Sequence, residues 1–239
     1  VMIAAEIFGA LKKVLTKHSM PTLVGDEGGF APAIQSVSEA FDLIKEACDL
    51  TPYRFGEDIK LALDVAATEL FHNDNYQLEG QTFSAAALVD FYQALTEKYP
   101  IISIEDPFAE DDFDAWQQLQ DRIGHKVQIV GDDLTVTNVE RMKLVQNKKL
   151  LSAMIVKPNQ IGTISQTMAA IALAKQYGWK TIISHRSGET EDTTIADIAY
   201  AVSSPFIKTG SCSRSERLAK YNRLIQLDQR ASRTRGKRF

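Results

Sequence analysis

The feature that most constrains this chain is a repeated unit: a short apolar run ending in a charged residue, a turn, then an amphipathic helix. The runs fall at 59–64, 101–105, 127–132, 153–157, 180–185 and 206–208, and they close on Asp64, Glu105, Asp132, Lys157, His185 and Lys208. Those end residues are separated by 41, 27, 25, 28 and 23 positions. A strand with its helix takes ~25–30 residues, so the spacing predicts serial βα units in a parallel sheet. The longer first gap holds an extra hairpin-like stretch around 73–82. A doubly wound sheet and a (β/α)₈ barrel both alternate β and α. Charged residues at every strand's C-terminal end favour the barrel, where all strand ends converge on one site. In an open sheet only the strands beside the switch point would do so. The expected fold is therefore α/β, a TIM-like barrel with six of its eight strands present and two expected before Val1.

Local signals support the units. Ser84 can cap a helix carrying Ala87, Leu88, Phe91 and Leu95, and Asp112 or Asp114 can cap the helix that includes Trp116 and Leu119. Residues 164–176 read as an Ala-rich helix stopped near Gly178. Met154-Ile155-Val156 is apolar throughout, as a strand covered on both faces should be. The chain opens at Val1 directly into a helical pattern, with Met2, Ile3, Ile7, Leu11, Val14 and Leu15 at three- and four-residue steps. This gives the start the look of a cut rather than of a signal peptide.

Composition narrows the class. With 239 residues, 44% apolar and 24% charged, the chain suits one large α/β domain or two smaller ones. No run of 18 apolar residues occurs, so no membrane span is expected. A net charge of −4 gives no overall pull toward nucleic acid. Cys48 and Cys212 lack metal-ligand or CxxC spacing and fit a reducing, cytoplasmic setting, where they simply fill space. After Leu227 the composition turns basic (DQRASRTRGKRF). The expected division is a barrel portion at 1–227 and a disordered tail at 228–239, with RNA or partner binding by the tail a minor alternative.

The strand-end residues carry the chemistry. Any one of Asp64, Glu105 and Asp132 alone would read as a solvated loop residue. On consecutive strands their oxygens share one volume, and a hard divalent cation such as Mg²⁺ relieves their repulsion. Lys157 ends the next strand; alone it reads as a salt-bridge partner, but beside a cation it is a candidate base. Ser184, His185, Arg186 and Ser187 form a run suited to phosphate, with Arg186 offering a bidentate fork. Lys208 adds positive charge. Cation, base and phosphate cluster together suggest proton abstraction next to a carboxylate.

These same segments carry a family resemblance. Residues 24–32 read VGDEGGFAP, 103–108 SIEDPF, 131–138 GDDLTVTN, 159–163 NQIGT, 184–193 SHRSGETEDT, 207–210 IKTG and 214–217 RSER. In this order the segments resemble the C-terminal catalytic barrel of the enolases. Racemase-like relatives share the metal carboxylates but not DEGG or SHRSGE. The resemblance implies that Asp64, Glu105 and Asp132 hold Mg²⁺, with Glu105 and Asp132 also at the substrate. It implies that Lys157 removes the C2 proton of 2-phosphoglycerate and that Glu27 protonates the departing C3 hydroxyl, giving phosphoenolpyruvate and water. Ser184, His185, Arg186, Ser187 and Lys208 would hold phosphate and carboxylate, and a second Mg²⁺ would arrive with substrate. A homodimer or larger assembly is implied for the full-length protein.

The resemblance also exposes departures. The family's small N-terminal α+β domain and first two barrel strands are not in this sequence, nor are a histidine and a second glutamate that assist at its site. Glu27 thus lacks its usual companion, and on its residues alone DEGG would read as a tight glycine turn with solvated acids. An open barrel exposes two strand edges, so this portion by itself is expected to be weak or inactive. The competing reading is a non-catalytic fragment, or a surface or RNA-processing-complex partner.

Overall fold

The computed structural model describes residues 1–235. In chain order its elements begin with α1 (Met2–Lys17), α2 (Val37–Asp49) and β1 (Leu61–Asp64). Three short strands follow, β2 (Phe71–His72), β3 (Asn75–Leu78) and β4 (Gln81–Phe83), then α3 (Ala85–Lys98) and β5 (Ile101–Glu105). Next come α4 (Phe113–Ile123), β6 (Gln128–Gly131), α5 (Val139–Lys148), β7 (Ala153–Val156) and α6 (Pro158–Ile161). The remainder is α7 (Ile164–Gln176), β8 (Lys180–Ser184), α8 (Thr194–Ala201), β9 (Phe206–Lys208) and α9 (Ser215–Arg235). All six expected strands form, within one to two residues of their predicted ends. The fold is α/β. The predicted hairpin region is a three-stranded antiparallel sheet, β2-β3-β4. Among the described residues no helix is long and apolar enough to cross a membrane.

The chain forms two compact units, Ile34–Thr181 and Val1–Ala33 together with the chain from Ile182 onward. In the first, β1, β5, β6 and β7 pair in parallel and in sequence order. Every residue of β7 is buried, as its unbroken apolar run requires. The helices turn Leu88, Tyr92, Trp116, Leu119, Met142 and Val145 inward, and all six are fully buried. At roughly 25 cal/mol per Å² of apolar surface, this burial is the main force holding the sheet and helices together. Two of the polar atoms taken inside are matched by backbone carbonyls: Trp116 Nε1 donates to Ala109 O at 3.0 Å and Tyr92 Oη to Pro107 O at 2.9 Å.

Helix starts follow the local chemistry. The Ser84 hydroxyl accepts from Ala87 N, the Asp112 carboxylate from Ala115 N, and Asn138 Oδ1 from the amides of Glu140 and Arg141. Asp112, rather than Asp114, is the α4 cap. Pro158 occupies the first position of α6, where a missing N–H costs nothing.

In the second unit β8 and β9 pair in parallel, with Ser184 opposite Lys208. The unit also carries α1, α8 and α9. In α1 the inward residues are Ala10, Val14 and Leu15, whereas Met2 is 76% exposed; its first turn makes no use of its apolar character. Arg223 forks onto both carboxylate oxygens of Asp197 and ties α9 to α8. Helix α9 passes the boundary expected at 227 and continues to Arg235. The rest of the expected tail, 236–239, lies outside the described residues. Cys48 and Cys212 are both free thiols, the first buried.

Candidate active site

In the Ile34–Thr181 unit the expected site residues lie at successive strand ends. Asp64 and Glu105 are register partners at the ends of β1 and β5, and Glu105 pairs with Val130 of β6, two residues before Asp132. Glu105 and Asp132 are buried while Asp64 is exposed. Lys157, directly after β7, places Nζ 2.5 Å from Asp132 Oδ2. Both side chains are mostly enclosed, 16% and 12% exposed.

Asp106, Asp132 and Asp133 also come together, with one oxygen from each within 4.8 Å of the others. This set shares only Asp132 with the one expected from sequence. All donors in it are oxygens, which suits a hard cation of the Mg²⁺ class. Asp106 has a second task. Its two oxygens accept the backbone N–H groups of Asp132 and Asp133 at 2.8 and 2.9 Å. Its own N–H and C=O bond to Val130 O and Ala67 N, so one residue pins three segments. Burial pushes its carboxyl up to about 7, against the pull of the two amide donors.

The loop after Asp132 is strained. Val136 and Thr137 have φ of 42° and 55°, a left-handed conformation costly for β-branched residues. The Thr137 hydroxyl then accepts the backbone N–H of Lys157 at 3.0 Å. Strain at 136–137 thus delivers the acceptor that fixes the start of the lysine's turn. Asp106 and Thr137 do not stand out among the sequence's charged strand ends, although both sit inside the motifs at 103–108 and 131–138.

In the other unit, Glu27 and Lys208 help line a cavity of about 310 Å³ together with Thr209, Gly210 and Tyr221. The loop carrying Glu27 is locked to the segment after β9. Ser211 N donates to Glu27 O at 2.8 Å, and Ser213 Oγ donates to Gly28 O at 2.6 Å. Two glycines make this approach possible. A Cβ on Gly28 would lie 2.8 Å from Ser213 O, and one on Gly210 would lie 2.6 Å from Glu27 O. Both also have positive φ, 79° and 84°.

The 184–187 run divides by burial. Ser184 and His185 are enclosed, while Arg186 and Ser187 are exposed. Ser184 Oγ donates to His185 O. His185 sets Nε2 3.3 Å from Glu27 Oε2, and its Nδ1 lies 2.6 Å from an Arg217 nitrogen. Burial holds the imidazole down at about 4; the Glu27 carboxylate opposes this, and Arg217 and Lys208 add to it.

The arrangement therefore groups a lysine with an oxygen-only carboxylate cluster in one unit. In the other it groups a glutamate and a lysine around a cavity, with a buried histidine against the glutamate. Residues 1–236 match the family described as enolase, C-terminal TIM barrel domain. That match takes in every motif above, and the chain belongs to the enolase family as a portion of its C-terminal barrel domain.

Proposed function

We propose that this chain carries the catalytic machinery of a Mg²⁺-dependent lyase that converts 2-phosphoglycerate to phosphoenolpyruvate and water. The observation that most supports this reading is the Lys157–Asp132 pair, an amine seated against a member of the carboxylate cluster. Asp64, Glu105 and Asp132 would hold the metal, with Asp106 fixing the Asp132 backbone. When bound, Mg²⁺ supplies positive charge that makes the proton beside a carboxylate acidic enough to remove. Lys157 Nζ takes the C2 proton; the electron pair left at C2 becomes the C2–C3 double bond as the C3–O bond breaks. Glu27 gives its proton to the departing hydroxyl, which leaves as water. Arg186, Ser187 and Lys208 supply the positive and hydrogen-bonding groups for phosphate and carboxylate, with Ser184 and His185 behind them.

The test is direct. The chain is incubated with 2-phosphoglycerate and Mg²⁺ while phosphoenolpyruvate absorbance is followed, with a chelator in a parallel cuvette. A rise that the chelator abolishes supports the reading. A flat trace from protein with native circular dichroism favours the non-catalytic alternative for this chain.

A further inference from the structure

Helix α9 buries charge while Leu218 and Ile225 stay exposed. Leu218 is 38% exposed, whereas Arg217 and Lys220, three residues apart and so on one face, are 0% and 1% exposed. Neither belongs to the roles proposed above. A buried guanidinium is costly unless its donors are met, and here the loops of the site meet its two terminal nitrogens. One terminal nitrogen, Nη1, reaches His185 Nδ1 at 2.6 Å and Arg186 O at 2.8 Å. The other, Nη2, reaches Asp26 O at 2.9 Å and Ser187 O at 2.6 Å. Lys220 Nζ donates to Thr190 O and Glu216 O, with Glu189 3.5 Å away.

The contact with His185 settles a proton. Arginine has donors only and stays charged in proteins. The imidazole nitrogen facing it must therefore be the bare acceptor, because an N–H there would meet another N–H. If Nδ1 is bare in the neutral ring, the hydrogen is on Nε2, the atom that faces the Glu27 carboxylate. The same guanidinium holds the carbonyl of Asp26, the residue before Glu27.

We propose that Arg217 is a positioning residue: it fixes His185 as the Nε2–H tautomer, with Nε2 3.3 Å from Glu27 Oε2, and clamps the 25–29 loop to the 185–187 loop. The consequence for turnover rests on the lyase reaction proposed above, but the tautomer and the clamp do not. Arg217 does not line the Glu27 cavity, so it acts through His185 and the Glu27 backbone.

Nitrogen-15 NMR of the unaltered chain reads the tautomer without substrate. His18, His72 and His125 are all exposed, so the one enclosed imidazole is distinguishable. At pH 7 the expected result is an unprotonated Nδ1 and a protonated Nε2; a protonated Nδ1 would overturn the proposal. In Arg217→Met, the Nε2–H preference should be lost and amide exchange in 25–29 should accelerate roughly tenfold or more. A folded variant with unchanged tautomer and unchanged exchange would also overturn it. Should that variant fail to fold, the unaltered chain still decides. A chain that shows Nε2–H yet makes no phosphoenolpyruvate counts against the reaction and for the clamp.

Discussion

Lys157 Nζ lies 2.5 Å from Asp132 Oδ2, with both groups largely withdrawn from water, so the candidate base is the counter-ion of a candidate metal ligand. Removing one member of such a pair leaves the other as an uncompensated buried charge, at a cost of about 3–5 kcal/mol. Lys157→Met should therefore lower stability by an amount of that order, read from urea midpoints at pH 7. Added Mg²⁺ should restore part of the loss, because it neutralises the carboxylates that the lysine leaves behind.

Asp106 accepts two backbone amides through its two oxygens. In Asp106→Asn one oxygen becomes an NH₂ that cannot accept, leaving an amide unmet at about 1–3 kcal/mol. The Asp132 and Asp133 backbone should then loosen. Mg²⁺ affinity, measured by titration calorimetry, should weaken by roughly 10–100-fold, the usual effect of losing a group that orients a ligand.

His185 gives a pH signature. Its pKa is about 4 in the fold and about 6.5 in an unfolded chain. The neutral ring is favoured by folding, so its contribution is fully present above pH 6.5. As pH falls from 6.5 to 4 the unfolded chain takes up a proton that the folded one refuses, and stability declines, by an amount of order 3 kcal/mol. His185→Gln should flatten that part of the urea-midpoint profile.

Gly210 has φ of 84° and no room for a Cβ against Glu27 O or the Arg217 side chain. Gly210→Ala should cost at least ~1 kcal/mol by urea denaturation. It should also speed amide exchange in 25–29 more than in the Ile34–Thr181 unit.

Much of the fold was legible because strand and helix periods differ and the caps are chemical. Six apolar runs became six strands, and Ser84, Asp112 and Thr163 start their helices with side-chain hydrogen bonds. The placement of the expected site residues at strand ends was legible because strand ends collect charge. What was not legible depends on contacts distant in sequence. Asp106 reads as one more acid beside Glu105 until its partners, 26 and 27 residues away, are known. Arg217 and Lys220 are buried while Leu218 between them is exposed, the reverse of what residue type alone suggests. The left-handed Val136 and Thr137 contradict their own propensities, and only the bond to Lys157 N gives them a purpose.

The step proposed for Lys157 is removal of the C2 proton of 2-phosphoglycerate beside Mg²⁺-holding carboxylates. Proton NMR of 2-phosphoglycerate in D₂O with this chain and Mg²⁺ isolates that step from loss of the hydroxyl. The C2 proton signal should be replaced by deuterium, or disappear with turnover, and Lys157→Met should slow this by at least roughly 10²-fold. A C2 signal that persists with folded, Mg²⁺-saturated protein, or that exchanges equally fast in folded Lys157→Met, would contradict this role for Lys157.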